Sequence, residues 1–398
     1  MLNHRQLQIL LGGITDLTPV RGSTHTYYRY PARFSPTFAR AAIEVLTRPG
    51  DLVLDPFAGG GTTLVEAAVA GRRSIGADIS ALSTFICRVK TTPLSEHDTG
   101  KLLAWFERTS KEAKVFSTAP SETLAQRRQQ SVQPIGGTAW PIRRVIEAFL
   151  TRLYRLEKTR QRDFARAVVL SSGQWALDNR RQLPSAAALR RHIGKAAYTM
   201  LGAALEYSRE LSAHAATRTA RSEFIPRVLQ CSAAQLAAQP SLKGIPPPRL
   251  ILTSPPYPGV HVLYHRWQVK GRRETAAPFW IAGTPDGKTA AHYTLGSRET
   301  TENYFNQLQD CFSGIVPLAS RDTVFVQLIG FSDPDAQLPE FLSALRAAGL
   351  QEFRVASIAN SADGRIWRSV PNRKWYNRTS KRSSTSEVVL FHRLKRSI

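Results

Sequence analysis

Five consecutive residues, Thr253-Ser254-Pro255-Pro256-Tyr257, carry groups that could hold a planar base with an exocyclic amine. The two prolines fix φ and supply no amide hydrogens, so the backbone carbonyls beside them remain as rigid acceptors. The serine hydroxyl adds a second acceptor, and the tyrosine ring adds a stacking surface. The apolar run 250–252 predicts a buried strand that ends at this motif. By itself the motif is also an ordinary turn or polyproline sequence, so its interpretation depends on the rest of the chain.

A second segment has the pattern of a cofactor-binding turn. Residues 51–55 form a short apolar strand, residues 56–63 a glycine-rich turn and residues 64–70 a good helix former. Glycines let the backbone approach a ligand closely, and the amino terminus of a helix offers free amides and a positive dipole end. A second predicted strand ends at Asp78, 23 residues after Asp55. That distance suits a carboxylate that binds ribose hydroxyls, which is expected roughly 20 residues on.

Both segments resemble motifs of the S-adenosylmethionine-dependent amino-methylating DNA methyltransferases. The turn matches the family's Asp-Pro-Phe-x-Gly-x-Gly-Thr-Thr at every fixed position. Residues 254–257 match the family's Ser/Asp/Asn-Pro-Pro followed by an aromatic residue, and the serine form is similar to the cytosine-N4-specific branch. A phosphate-binding Walker loop is excluded because no Lys-Ser or Lys-Thr follows the glycines.

The resemblance implies an α/β fold, the seven-stranded class I methyltransferase (Rossmann-like) doubly wound sheet, here with a large helical insert. It also implies S-adenosylmethionine as the cofactor and no metal. Phe34, before an amphipathic helix predicted at residues 37–46, resembles the family segment that closes over the methionine end of the cofactor. Ser232, after the predicted third strand, stands where family members often meet the adenine. The implied cofactor-binding residues are Phe34, Asp55, Pro56, Phe57, Gly59, Gly61, Thr62, Thr63, Asp78 and Ser232, and the implied catalytic residues are Ser254, Pro255, Pro256 and Tyr257.

The chemistry that this resemblance implies begins with the poor reactivity of the target amine. The lone pair of cytosine N4 is delocalised into the ring, so it attacks a sulfonium methyl group poorly until acceptors localise it. The Ser254 hydroxyl and the Pro255 carbonyl are expected to accept hydrogen bonds from the two N–H groups of the amine. Tyr257 is expected to stack on the base. A paired cytosine hides this edge, so the base must flip out of the duplex at a cost of a few kcal/mol.

The strand and helix pattern divides the chain into three predicted regions. Residues 1–95 are predicted to form the cofactor-binding half of the core with a lead-in, and residues 223–398 the catalytic half. Residues 96–222 read as a basic helical insert, with arginine pairs at 143–144, 180–181 and 190–191. We expect this insert to bind DNA or to support the groove that does. The alternative is a charged, solvated subdomain, because arginines on helices often bury their stems and expose their charge.

Composition agrees with a nucleic-acid partner. The chain of 398 residues has 54 Lys+Arg against 30 Asp+Glu, a formal net charge of +24, which predicts salt-dependent binding to polyphosphates such as double-stranded DNA. Three widely spaced cysteines indicate neither a disulfide framework nor a zinc site, and therefore fit a reducing compartment. The chain lacks a long apolar run and an apolar leader, so we expect a cytoplasmic protein with no membrane partner. A segment rich in arginine and aromatics at residues 365–382 is predicted to be a loop or hairpin that contacts nucleic acid.

Three alternative functions remain open at this point. An adenine-N6 DNA methyltransferase has nearly the same core, and serine before Pro-Pro disfavours it moderately. A guanine-N2 RNA methyltransferase would also use such a loop, usually with aspartate. A non-catalytic DNA-binding protein could retain the fold. A restriction-modification setting allows a separate cognate endonuclease. The recognition sequence, this partner and the oligomeric state cannot be read from the sequence.

Overall fold

The computed structural model of the protein describes residues 2–16, 18, 22–30, 35–113, 139–214, 222–258, 266–270, 273–285, 301–369 and 386–395. Their helices are α1 His4–Thr15, α2 Pro36–Leu46, α3 Thr62–Val69, α4 Ala81–Thr91, α5 Glu96–Glu112, α6 Trp140–Leu150, α7 Thr159–Leu177, α8 Ala186–Ala213, α9 Ala277–Ala282, α10 Thr301–Ile315 and α11 Pro334–Ala347. Their strands are β1 Leu52–Asp55, β2 Arg73–Asp78, β3 Arg227–Gln230, β4 Leu250–Thr253, β5 Trp267–Val269, β6 Arg273–Thr275, β7 Val324–Gly330, β8 Leu350–Glu352, β9 Ile366–Ser369 and β10 Ser386–Leu394.

The main sheet has the strand order of a class I methyltransferase. The order is β3-β2-β1-β4-β7-β10-β8, and β10 runs antiparallel to both of its neighbours in this path while the other pairs are parallel. The predicted fold class is therefore confirmed. An eighth strand, β9, pairs with β10 outside this path, and β5 and β6 form a separate two-stranded sheet.

The central strands are apolar throughout because helices cover both faces of the sheet. Every residue of β1, β4 and β7 is buried, as expected for strands enclosed on both sides. Successive side chains point to opposite faces, so Leu54 and Ile251 join the layer of α10 and α11. Val53 and Leu252 join the layer of α1 and α2 instead. The sheet is thus a rigid platform for residues at its edge.

Local sequence chemistry sets several helix boundaries. The Ser35 hydroxyl accepts a hydrogen bond from the Phe38 amide at the start of α2. Ser95 and Asp98 form a reciprocal capping box at the start of α5, and Ser185 caps α8. Such caps satisfy amides that have no partner within the helix.

The insert packs as a helical layer beside the sheet. Its helices α5–α8 share a hydrophobic core with α4 and with Tyr27, Tyr28 and Tyr30 of the amino-terminal segment. Trp267 and the residues of α9, which follow the Ser-Pro-Pro-Tyr motif in sequence, join the same core. The indole N–H of Trp267 donates to the Tyr28 hydroxyl at 3.0 Å. The described residues of the insert are largely helical, whereas its extent as a domain and its role in binding DNA stay predictions.

Within the described part of the chain, no helix combines the length and apolar character that a membrane crossing requires. The three cysteines are unpaired, with Cys87 and Cys311 buried and Cys231 half-buried.

Candidate active site

The predicted site residues that the structure describes come together at one edge of the sheet. Asp55, Asp78 and Thr253 are the last residues of β1, β2 and β4, and Ser232 follows β3 by two residues. Because these strands are parallel, their carboxyl ends lie side by side, which is where open α/β sheets bind ligands. The structure therefore brings the glycine-rich turn and the Ser-Pro-Pro-Tyr motif together although nearly 200 residues separate them in sequence.

The turn after β1 requires its glycines. Gly59 and Gly61 have φ of +48° and +75°, values that other residues rarely adopt. A Cβ atom on Gly60 would lie 2.9 Å from a carbon atom of Tyr30, and one on Gly61 would lie 3.0 Å from the sulfur of Cys87. The buried ammonium group of Lys90 donates to the Gly60 carbonyl at 2.7 Å. Tyr30, Cys87 and Lys90 thus pack closely against the loop, and no local pattern in the sequence indicates this role for Lys90 or Tyr30.

Asp78 shapes the loop from the end of β2. Its Oδ2 accepts a hydrogen bond from the Gly59 amide at 2.9 Å, and its Oδ1 accepts one from the Ser80 amide at 2.8 Å. Burial raises the pKa of this carboxyl above its usual value, while these two hydrogen bonds oppose the shift. The side chain remains partly exposed, so its free lone pairs can still meet a ligand.

Asp55 connects the two motifs. Its Oδ1 accepts hydrogen bonds from the Thr253 hydroxyl at 2.7 Å and from the Phe57 amide at 3.2 Å. Burial raises the pKa of this carboxyl to about 6. An ionised carboxylate in such a buried position would attract the positive charges of a sulfonium and an ammonium group strongly.

The remaining residues around the turn fit S-adenosylmethionine. Helix α3 begins at Thr62 without a side-chain cap, so its first amides are available to an anion such as the methionine carboxylate. The Thr63 side chain is buried at the start of α3, where its hydrogen bond to Asp55 opposes the rise in the pKa of that carboxyl. Pro56 is buried, and Phe57 packs against Phe312 with ring centroids 6.4 Å apart.

Two other predicted cofactor residues need separate mention. Ser232 lies at the same edge, next to Cys231, whose amide donates to the Asp78 carbonyl at the end of β2. The Ser232 hydroxyl accepts a hydrogen bond from the Ala234 amide at 3.3 Å. Phe34 falls in residues 31–34, outside the described residues. The roles of all these residues toward the cofactor stay predictions.

Two tyrosine hydroxyls anchor the catalytic motif. The Tyr257 hydroxyl donates to Oε1 of Glu387 on β10 at 2.6 Å, and the other oxygen of Glu387 accepts from Arg368 on β9 at 2.9 Å. Burial, with the negative charge of Glu387, holds the pKa of Tyr257 well above its usual value. The Tyr304 hydroxyl on α10 donates to the Pro256 carbonyl at 2.7 Å. These contacts fix both ends of the Pro256-Tyr257 unit.

The prediction of nucleic-acid contact at residues 365–382 stays a prediction, but the two arginines of this segment that the structure describes are engaged within the protein. Residues 366–369 form strand β9, which pairs antiparallel with β10 as the predicted hairpin would. Arg365 makes a bidentate ion pair with Glu352 at 2.7 and 2.8 Å, and Arg368 is buried against Glu387. Residues 370–385 lie outside the described part of the chain. Sequence reasoning missed Glu387 because an acid within the apolar β10 carries no local signal of its partner.

The sheet order, the glycine-rich turn after β1 and the motif after β4 together define a class. The chain has a class I methyltransferase fold, and S-adenosylmethionine is the methyl donor that this class uses. Residues 12–82 match the N6_N4_Mtase family, described as DNA methylase. The match includes α2, the glycine-rich turn and Asp78.

Two curated proteins share part of this sequence. The Type II methyltransferase M.MvaI of Kocuria varians is 32% identical over 102 residues, which cover 25% of this chain and 22% of that protein. The DNA adenine methyltransferase YhdJ of Escherichia coli (strain K12) is 34% identical over 79 residues, which cover 20% of this chain and 26% of that protein. The chain thus spans about a quarter of the length of these relatives.

Among solved structures, TrmN from Thermus thermophilus aligns over 90% of this chain and 48% of its own length, with 13% sequence identity and a TM-score of 0.31.

Proposed function

We propose that the protein is a site-specific DNA methyltransferase that transfers a methyl group from S-adenosylmethionine to the N4 amine of a cytosine flipped out of the duplex. The observation that carries this proposal is the position of Ser254-Pro255-Pro256-Tyr257 at the end of β4, where Thr253 is hydrogen-bonded to Asp55 of the cofactor strand at 2.7 Å. A base held by this motif would lie beside the methyl donor.

The residues have distinct roles in this proposal. When bound, S-adenosylmethionine supplies an electrophilic methyl group on a sulfonium centre. Asp55 provides a negative charge for its cationic end, and Asp78 provides acceptors for its ribose hydroxyls. Gly59 and Gly61 allow the backbone to approach it, and the amides at the start of α3 receive its carboxylate.

The catalytic motif acts through placement. The Ser254 hydroxyl and the Pro255 carbonyl accept hydrogen bonds from the two N–H groups of the amine. These hydrogen bonds favour a pyramidal nitrogen with its lone pair directed at the methyl group. Tyr257 supplies the stacking surface for the flipped base. Rate enhancement then comes from positioning and from acceptors that need no reorganisation during the reaction. The anchors on Pro256 and Tyr257 support this preorganisation.

Adenine-N6 is the second candidate target. The same acceptors would serve the N6 amine, and the relative from Escherichia coli is named as a DNA adenine methyltransferase. Serine before the two prolines supports cytosine-N4 by resemblance. The name of the Kocuria relative, a Type II methyltransferase, supports a restriction-modification setting.

Product analysis tests the proposal directly. DNA and RNA from cells that express the protein are digested to nucleosides and examined by mass spectrometry, with cells expressing Ser254→Ala as the matched control. We expect N4-methylcytosine in DNA from wild-type cells and a much lower level in the control. N6-methyladenine would correct the target base but retain the class. Methylation confined to RNA would show that the substrate is wrong.

A single-turnover assay separates the role of Ser254 from cofactor binding. Ser254→Ala removes one preorganised acceptor, so we expect methyl transfer to slow by roughly 10² to 10³. Affinity for S-adenosylmethionine, measured by calorimetry, should stay at the wild-type value. Equal rates for both proteins would remove Ser254 from the chemistry.

A further inference from the structure

We propose that one face of helix α8 is the surface through which the insert contacts the DNA backbone. This face, called here the outer face of α8, consists of Arg191, Lys195 and Tyr198 with Gly194 and Gly202 beside them. The inference rests on the proposed function and deepens it, because it selects one surface from a basic insert of more than 100 residues. Four observations support it.

The first observation is that many of the cationic side chains of the insert are already paired with acids or backbone carbonyls of the protein itself. Charged side chains of the insert form ion pairs with one another, within and between its helices, so these cations are poorly placed to release counterions from DNA. Arg152 and Arg155 bond to Glu112, Lys158 and Arg160 to Asp98, and Arg143 and Arg144 to Glu147. Two more arginines bond to backbone carbonyls, Arg166 to Ile281 and Arg190 to Ala113.

The second observation is that Arg191 and Lys195 are exposed and have no hydrogen-bond or ion-pair partner among the described residues. They are four residues apart, and Tyr198 follows three residues later, so all three lie on one side of the helix. The opposite side carries Ile193 and Ala197, which are fully buried in the core of the insert. The two cations therefore point away from the protein.

The third observation concerns Tyr198 and its two glycine neighbours. The Tyr198 side chain is 73% exposed, which is unusual for a large aromatic residue. Gly194 and Gly202 stand four residues before and after it, and nothing lies within 4 Å of the position that a Cβ atom would occupy on either. Glycine weakens a helix interior, and no packing contact explains these two. They leave the backbone open, so that a partner can approach it on both sides of the tyrosine ring.

The fourth observation is the location of this face relative to the cofactor loop. His192, next to Arg191, stacks on Trp175 with ring centroids 4.0 Å apart and 12° between the planes. The neighbouring Gln174 bonds to both the amide and the carbonyl of Arg29, at 3.1 and 3.0 Å. Tyr30, the next residue, covers the glycine-rich turn. The basic half of α8 is thus joined through short contacts to the elements that border the active site.

The charge of the outer face of α8 favours an anionic partner over a helix of another protein. The amino-terminal half of α8 has Arg191 and Lys195 exposed, whereas an exposed acid, Glu206, appears further along the helix. Arginine, lysine and tyrosine side chains are common donors to phosphate oxygens, and such contacts position a duplex without reading its sequence. The phosphate backbone of DNA is therefore the partner that fits this surface.

Two double variants with the same charge change test the proposal. Arg191→Gln/Lys195→Gln alters the outer face of α8, and Lys101→Gln/Arg108→Gln alters exposed cations of α5 that lie 3.6 and 3.0 Å from Glu157 and Glu112. Binding to a duplex is measured from 50 to 200 mM salt. We expect the first variant to lower the log–log salt slope by about 2, and the second to leave it near the wild-type value. Equal slopes for both variants would overturn the proposal.

Substitution of the glycines provides a second readout in which stability and binding move in opposite directions. Gly194→Ala/Gly202→Ala should raise the melting temperature, because alanine favours a helix more than glycine does. It should weaken DNA binding several-fold if the backbone is closely approached. A more stable variant that binds DNA like the wild type would contradict the proposed close approach. A change in sedimentation of the DNA-free protein, with unchanged DNA binding, would show an interface between protein copies instead.

Failure of the proposed function is distinguishable from failure of this inference. A wild-type protein that binds DNA through α8 but methylates no nucleic acid would retain the surface and remove the activity. A wild-type protein that methylates DNA, with a salt slope unaffected by Arg191→Gln/Lys195→Gln, would retain the activity and remove the surface.

Discussion

The hydroxyl of Thr253 donates a 2.7 Å hydrogen bond to the carboxylate of Asp55 across the boundary between β4 and β1. Thr253 immediately precedes the Ser-Pro-Pro-Tyr motif, and Asp55 opens the glycine-rich turn. Both side chains are buried, so the bond is protected from competition with water. It joins the proposed base-binding and cofactor-binding halves of the site at one point.

Removing this bond should weaken the cofactor without unfolding the protein. Thr253→Val retains the shape of the side chain but withdraws a donor from a charged acceptor, a contact worth about 1.5–3 kcal/mol. We expect affinity for S-adenosylmethionine at neutral pH to fall, measured by calorimetry. Thr323→Val is the matched control, since the buried Thr323 hydroxyl donates to the Pro248 carbonyl at the opposite edge of the sheet. Equal cofactor affinity in both variants would contradict the link.

The raised pKa of Asp55 predicts a pH dependence of cofactor binding. With a pKa of about 6 in the ligand-free protein, the carboxylate is ionised at pH 7.5 and largely protonated at pH 5. A cationic ligand should therefore bind about tenfold more weakly at pH 5 than at pH 7.5. Calorimetry across this range checks the expectation. Asp55→Asn should bind weakly at both pH values and lose the dependence.

The same carboxyl should also affect stability, with a definite sign. Its pKa is raised in the folded protein, so its contribution to stability is fully present below pH 3.8 and is lost as the pH rises through about 6. A shift of about two units corresponds to ~3 kcal/mol. In denaturant titrations, the free energy of unfolding of the wild type should therefore fall relative to that of Asp55→Asn as the pH rises from 4 to 7. A constant difference over this range would contradict the assignment.

Asp78 should contribute to cofactor affinity more than to the fold as a whole. Asp78→Ala removes the proposed ribose acceptor and also the acceptor for the Gly59 amide. We expect affinity for S-adenosylmethionine to fall by about 1–3 kcal/mol. A folded Asp78→Ala protein with unchanged affinity in calorimetry would remove Asp78 from the cofactor site.

The anchor between Tyr257 and Glu387 should matter for capture of the base. Tyr257→Phe keeps the ring and leaves Glu387 paired with Arg368, but it removes the 2.6 Å bond that orients the ring. We expect methyl transfer to slow by about tenfold, equivalent to ~1.4 kcal/mol, with unchanged affinity for S-adenosylmethionine. A 2-aminopurine at the target position should show a smaller fluorescence increase on binding.

Two further tyrosine variants frame this result. Tyr257→Ala should weaken capture of the flipped base more than Tyr257→Phe does, because one base-stacking contact is worth about 1–3 kcal/mol. Tyr154→Phe, at an exposed tyrosine of the insert, should behave like the wild type. Wild-type rates in Tyr257→Phe would show that the anchor is dispensable.

Much of the fold and of the candidate site could be predicted from the sequence because their signals are local. A strand, a glycine-rich turn and a helix are encoded in contiguous residues, and the apolar runs of β4 and β7 are buried on both faces as their composition indicates. The carboxyl ends of parallel strands then lie at one edge by geometry alone. The motif residues at Asp55, Asp78 and Ser254 were therefore identifiable before the structure.

Only the tertiary structure decided which arginines are paired within the protein and which residues hold the Ser-Pro-Pro-Tyr motif in place. Arg368 reads in sequence as a basic residue beside aromatics, yet its guanidinium is buried against Glu387 on the paired strand β10. Arg191 looks no different in sequence from Arg190, but Arg190 donates to the Ala113 carbonyl just after α5, whereas Arg191 is exposed. The partners of Asp55 and Tyr257 are 198 and 130 residues away. Contacts at such separations depend on strand pairing and helix packing across the whole fold, so no local pattern in the sequence specifies them.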